Sequence, residues 1–263
     1  MVIFTCIFVL LTVVLSALST VSLTFSLLSN EWETVTYKME GVEEVARLKN
    51  HTLQWLPQEL GRLEIPEDQL DKYEDKSKTN TKKMVVVYLV PAYGGVNNLC
   101  PNITDAAKIL TKKDGYDFDN CISYLSTEKI LSRDSWLDRM RNLAMSCAMV
   151  CLILLAFSAP LGLLGLFKKQ ISTIMVTGVM YILAGVFGVF NLVFMHFKRV
   201  KSDGFYTSTV LDHNLSEDYM KHRIFTVGWP PTAEWAGLIL CLLASLFWLL
   251  LAKIYRFQIL SPT

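Results

Sequence analysis

Four stretches of this chain contain no Asp, Glu, Lys or Arg: 1–30, 142–167, 170–197 and 235–252. An uncharged apolar helix of roughly 20 residues crosses the hydrocarbon core of a bilayer, where every backbone polar group has to be satisfied within the segment. Each stretch is therefore read as a transmembrane helix. The shortest has Trp235 and Trp248 placed to anchor near its ends and Lys253 placed to snorkel. The segmentation that follows is a first span at 1–29, a polar segment at 30–141 and a second span at 142–167. A hinge at 168–170, a third span at 171–197, a polar segment at 198–234, a fourth span at 235–252 and a tail at 253–263 complete it. The first stretch has a second reading as a cleaved secretory signal. It lacks the basic flank, and its apolar run outlasts the roughly 7–15 residues such a signal carries. Its removal would leave three spans and place the chain's ends on opposite sides.

Three N-x-S/T sequons occur, at Asn50, Asn102 and Asn214, and all fall in the two long polar segments. Glycans are added on the lumenal side, so this partition places both segments outside the cell and both termini in the cytosol. Lys168, Lys169, Lys253 and Arg256 agree with the positive-inside rule. Lys198, Arg199 and Lys201 oppose it. Cysteine placement favours the first assignment: Cys100 and Cys121 are the only cysteines outside the spans, and in an oxidising compartment such a pair reads as one disulfide. The alternative is two unpaired thiols. Cys6, Cys147, Cys151 and Cys241 lie within spans and read as packing residues, with Cys6 alone a candidate for acylation.

In the first polar segment, 31–39 alternates in part, with Trp32, Val35 and Tyr37 as the packing side. A charged stretch from Gly41 to Lys83 follows. It holds one helical pattern at Val42, Val45, Ala46 and Leu48, and ends in a solvated polar run at 71–83. MVVVYLV, residues 84–90, is the clearest strand and is expected to pair with 31–39, because an unpaired edge of that composition aggregates. Pro91 stops it, Gly94-Gly95 permits a turn, and a further strand carrying Cys121 is expected within 116–125. Ser126 or Thr127 is expected to cap a helix running through Trp136 into the second span.

The motif residues are Trp32, Gly95-Val96-Asn97-Asn98-Leu99-Cys100, Cys121 and Arg141. With four spans and a large first loop holding the only cysteine pair outside them, they resemble the claudin superfamily. Its first-loop signature is a Trp, then Gly-Leu-Trp-x-x-Cys, then a second Cys, with a basic residue before the second span. The long insert before the glycine motif and STIMVTGVMYILAG in the third span are closest to claudin-domain-containing proteins. Asn97 stands where the family has its second Trp, the cysteine spacing is longer, and the tail YRFQILSPT lacks a terminal hydrophobic residue. The resemblance implies a mostly α membrane protein: a four-transmembrane-helix bundle with a small extracellular antiparallel β-sheet.

Within the spans, Gly178, Ala184, Gly185 and Gly188 on the third and Gly237, Cys241, Ala244 and Ser245 on the fourth offer small-residue seams. Pro160 is expected to bend the second span, and Asn191 to make an interhelical hydrogen bond. With no Asp, Glu, Lys or Arg in the middle of any span, no proton or ion path is read in the bundle. Four histidines without ligand spacing, no phosphate loop and no nucleophile elbow argue against an enzyme, a metal or a cofactor. A net charge of +1 with no basic block argues against a nucleic-acid partner. The expected partners are the lipid bilayer and copies of itself or other membrane proteins, either junction components or a channel or receptor. The expected place is the plasma membrane, at cell–cell junctions. Two functions follow: structural adhesion or barrier formation at cell contacts, or service as an auxiliary subunit altering the gating or trafficking of a channel. The 16 basic and 19 acidic residues of the first polar segment imply little charge preference.

Overall fold

Charge marks where a helix leaves the hydrocarbon layer, not where its hydrogen bonds stop, and the helices accordingly outrun the charge-free stretches. The computed structural model describes residues 2–66, 84–118, 121–123, 136–202 and 215–260. Four long helices, α1 (Val2–Leu28), α4 (Trp136–Lys168), α5 (Ile171–Ser202) and α7 (Pro230–Leu260), are each long and apolar enough to cross a membrane. Lys198, Arg199 and Lys201 sit on the last turns of α5, and Glu234 on α7, rather than in a connecting loop. The protein is mostly helical, with two small antiparallel sheets. The chain divides into a helical unit holding these four helices and a strand unit built from 30–133 and 199–228.

In the helical unit, α1 runs antiparallel along α7. Ser19, Ser22 and Ser26 donate to the carbonyls of Gly237, Ala233 and Pro230 at 3.3, 3.1 and 2.7 Å, and the Trp248 indole donates to Ser16 at 2.8 Å. Small polar residues spaced three or four apart let two helix backbones approach closely in lipid. Gly237 completes the fit, since a Cβ there would lie 2.9 Å from Leu23. Pro160 sits inside α4 without ending it. Two residues beyond it the helix needs Gly162, whose Cβ would meet the Trp248 ring at 2.9 Å and Thr177 at 3.1 Å. Gly178 faces Leu249 and Trp248, and Gly188 faces Leu238.

The expected interhelical bond of Asn191 is present, but its partner is a carboxylate. Asn191 Nδ2 donates to both oxygens of Glu234, at 3.1 and 3.2 Å, with both residues fully buried. This corrects the placement of Glu234 in the 198–234 loop: it lies near the start of a membrane-length helix. Glu234 was assigned to the loop because the charge-free stretch begins at the next residue; the helix starts at Pro230 and carries it inside.

The strand unit contains two sheets. The first has the order β7-β6-β5-β1-β8, formed by β1 (Glu33–Tyr37), β5 (Ala92–Gly94), β6 (Asn98–Pro101), β7 (Ile122–Ser123) and β8 (Arg223–Val227). The second has the order β2-β3-β4, formed by β2 (Thr52–Leu56), β3 (Leu60–Pro66) and β4 (Met84–Leu89). The 84–90 strand therefore does not pair with 31–39. It pairs with β3, Val87 opposite Leu63, while β1 lies between β5 and β8. The competing partner was a hairpin hidden in the charged stretch.

One face of the second sheet is buried, and the other is covered in part. On one, Leu63, Ile65, Val87 and Leu89 pack with Val42 and Ala46 of α2 (Met39–Leu48) and with Leu215, Tyr219 and Met220. The last two belong to the short helix α6 (Glu217–Met220). On the other, Arg62 and Tyr88 reach Asp114 just beyond α3 (Asp105–Lys113). At its C-terminal end β4 is buried on both sides, Val87 and Leu89 on one and Tyr88 on the other, which suits its apolar sequence.

Candidate functional site

The residues singled out from sequence gather mainly in the strand unit. Gly95 follows β5, and its amide donates to the Asn98 carbonyl at 2.8 Å, closing the turn into β6. Cys100 on β6 is disulfide-bonded to Cys121, which immediately precedes β7. Among the described residues β6 and β7 pair at Asn98–Ser123 and Leu99–Ile122, so the bridge secures a short ladder. Trp32 precedes β1, is fully buried, and accepts at its carbonyl from the Gly228 amide at 3.0 Å. Arg141 is on α4, in the helical unit.

Two of the three sequons carry structural duties as well. Asn50 is exposed and terminates α2 in the left-handed conformation, at φ 54°, with His51 N donating back to Ala46 O at 2.9 Å. Asparagine is, after glycine, the residue most at ease there. Asn102 is exposed, and Thr104 of its sequon caps α3, accepting from Ala107 N at 3.3 Å. Asn214, the polar run at 71–83 and the cap expected at Ser126 or Thr127 lie outside the described residues.

Gly115, at φ +89°, reverses the chain after α3, with Tyr116 N donating to Thr111 O at 2.9 Å. The reversal stacks Tyr116 on Phe118 and turns both edge-on to Tyr88. Tyr88 donates to Asp114 at 2.6 Å, and Arg62 bridges Asp114 at 3.3 Å and Glu64 at 2.8 Å. The Tyr116 hydroxyl donates at 2.7 Å to the carbonyl of Val86, on the β4 edge that faces away from β3, and so guards that edge. On the opposite side of this sheet, Lys49 and Lys221 hold Asp218 at 2.6 and 3.1 Å, and His51 meets the Tyr219 hydroxyl at 2.8 Å.

The chain matches no family model and no curated protein. What it offers as a working surface is thus read from its own geometry: a three-stranded sheet packed on one face, a bridge-stapled sheet and the exposed sequons at Asn50 and Asn102. Among the described residues no group of three His, Cys, Asp or Glu is placed to hold a metal ion.

The buried phenols make the strand unit sensitive to alkali. Burial, with the hydrogen bond to Asp114 behind it, pushes Tyr88 up to about 12; burial, then the Asp218 charge, does the same to Tyr219. A folded-state value raised above the ordinary value of about 10 contributes stability that is fully present below pH ~10. It is lost as pH rises through ~12. Late phenolate absorbance should therefore rise together with loss of the strand unit's fold, and Tyr88→Phe should reduce it by one tyrosine's worth. Asp114 behaves in the opposite sense. The Tyr88 hydrogen bond, opposed by burial and aided by Arg62, holds it below the usual carboxylate range, so its contribution fades only in strong acid.

Proposed function

We propose that the protein is a claudin-like integral membrane protein of cell contacts, with its strand unit on the extracellular face in a structural adhesion or barrier role. One observation carries this reading. Both polar segments contribute to a single sheet, 33–37 of the first lying between 92–94 of the same segment and 223–227 of the second, and the far end is closed by the Cys100–Cys121 bond. A disulfide-stapled sheet drawn from both segments suits a rigid platform in an oxidising space. The four apolar helices suit a multi-pass plasma-membrane protein with cytosolic termini.

A second reading, an auxiliary subunit of a channel or receptor, draws on the inserted sheet β2-β3-β4. That sheet, with α2, adds a folded lobe between β1 and β5 that a partner's ectodomain can contact.

The test begins with orientation. Thr52→Ala, Asn102→Gln and Asn214→Gln should each remove one glycan's mobility from the chain made in a glycosylating host. Thr52 is the better target in the first sequon, because Asn50 itself caps α2. Expression in non-adherent cells should then cluster them. Surface-delivered protein that clusters no cells and copurifies with a pore-forming partner decides for the second reading. Unmodified sequons, with both polar segments protease-protected on intact cells, defeat both.

A further inference from the structure

Charge is distributed one-sidedly along the helical unit. None of the chain's 24 Asp and Glu residues falls within 1–30, 139–202 or 235–263. Helices α1 and α5 therefore carry none, while Asp138 and Glu234 stand near the starts of α4 and α7. The far ends of α4 and α7 bring Lys168, Lys169, Lys253 and Arg256. All four are exposed, and among the described residues none of them forms an ion pair. Glycine contacts show that they share one end. Gly178 faces Leu249 and Gly188 faces Leu238, so α5 and α7 run antiparallel. Gly165 faces Ile174 and Gly162 faces Thr177, so α4 and α5 do the same. Counted from these contacts at a common rise per residue, Lys168 and Arg256 both come level with Ile171, the first residue of α5. Lys253 lies just short of that level, and Lys169 stands in the turn between α4 and α5. Packed helices are roughly 8–10 Å apart, so four long cationic side chains gather around the start of α5.

We propose that this end of the helical unit binds the headgroup of a polyphosphorylated phospholipid. A headgroup bearing phosphomonoesters concentrates several negative charges within the breadth of such a cluster, as a singly charged lipid does not. The start of α5 adds to the attraction. The amides of Lys169 and Gln170 are spent on Leu166 O and Gly165 O, at 3.3 and 3.0 Å. Those of Ile171, Ser172 and Thr173 open a 32-residue helix and have no earlier carbonyl of α5 to meet, at the positive end of its dipole. The neighbouring side chains favour a lipid over a soluble anion. Phe167 and Phe257, beside Lys168 and Arg256, are 83% and 71% exposed, on helices apolar enough to cross a membrane. Phenylalanines so exposed belong in hydrocarbon, and cations next to them at the level of the headgroups. The inference goes beyond the cell-contact reading and does not rest on it; the proposed cytosolic termini assign the lipid to the inner leaflet.

Full-length protein in neutral detergent micelles is titrated with phosphatidylinositol bisphosphate or, at matched total charge, with phosphatidylserine, and retained lipid is read by native mass spectrometry. The bisphosphate should be retained at concentrations about tenfold lower. Lys168→Gln combined with Lys169→Asn should weaken its retention about 25-fold, at roughly fivefold per charge removed. Asparagine suits the left-handed backbone of Lys169, at φ 49°. Lys253→Gln with Arg256→Gln should weaken it likewise, whereas Arg47→Gln, an exposed charge on α2, should leave it unchanged. A lipid-free thermal midpoint equal to that of the wild type shows a variant to be folded. Undiminished retention in either folded double variant overturns the proposal. Phosphatidylserine held as well as the bisphosphate also overturns it, since that is diffuse attraction without a site. Free inositol trisphosphate bound as tightly as the lipid does so too, and assigns the cluster to a soluble anion. None of these readouts depends on whether cells cluster, so this inference and the cell-contact reading fail separately.

Discussion

Cys100→Ser will sharply reduce the amount of protein reaching the cell surface, and Cys147→Ser will not. The bridge closes a sequence separation of 21 residues. Loss of a cross-link of that span costs roughly 3 kcal/mol through the freedom returned to the unfolded chain. Little else secures the site among the described residues, because β6 and β7 share only two residue pairs. A change of that size is a large part of a domain's net stability and is enough to alter abundance several-fold through quality control. Cys147 is a half-buried residue of α4 with no bridge, and serine replaces it with little change in volume. Surface biotinylation compares the two directly. Equal delivery of Cys100→Ser and wild type would mean that the bond contributes nothing to folding in the cell.

The second large effect concerns the Asn191–Glu234 pair. Asn191→Leu removes the donor to both carboxylate oxygens and leaves Glu234 buried without it, a loss expected to cost about 1–3 kcal/mol. The double variant Asn191→Leu, Glu234→Leu removes both members. It should regain most of the loss, since a buried polar pair replaced by apolar groups of similar size is often nearly neutral. The thermal midpoint of the detergent-solubilised protein, measured for both singles and the double, gives the coupling, expected to exceed about 1 kcal/mol. Additive effects would show that the two side chains do not act together.

The four helices were legible because lipid imposes a crude filter: about 20 residues without charge. The same filter misplaced Glu234. It registers the charge and has no means of seeing that Asn191, 43 positions earlier, supplies a donor for it. The serine row on α1 was open to view, with Ser16, Ser19, Ser22 and Ser26 spaced as one helical face, but serine is so ordinary in apolar helices that periodicity alone did not single it out. The β2–β3 hairpin hid for a different reason. Leu53 and Trp55, then Leu63 and Ile65, alternate as strands do, yet the link is Pro57-Gln58-Glu59, with Gln58 and Glu59 at φ 63° and 59° and no glycine or asparagine to announce it. With β3 unseen, β1 was the nearest available partner for β4. In the strand unit, the cysteine pair and the exposed sequons stood out from composition, whereas the clasp of Tyr88, Arg62 and Asp114 depends on a chain reversal at Gly115 that joins distant residues.

The Thr104 cap sets an order of events during biosynthesis. In the finished protein its hydroxyl is engaged at the start of α3, and Ile103 beside it is buried at 8% exposure. A transferase that must grip Asn102-Ile103-Thr104 as an open strip of chain would find that strip closed. Under the proposed extracellular placement, a sugar on Asn102 has to be attached before α3 forms, so the extent of its modification would record how quickly this corner of the molecule shuts.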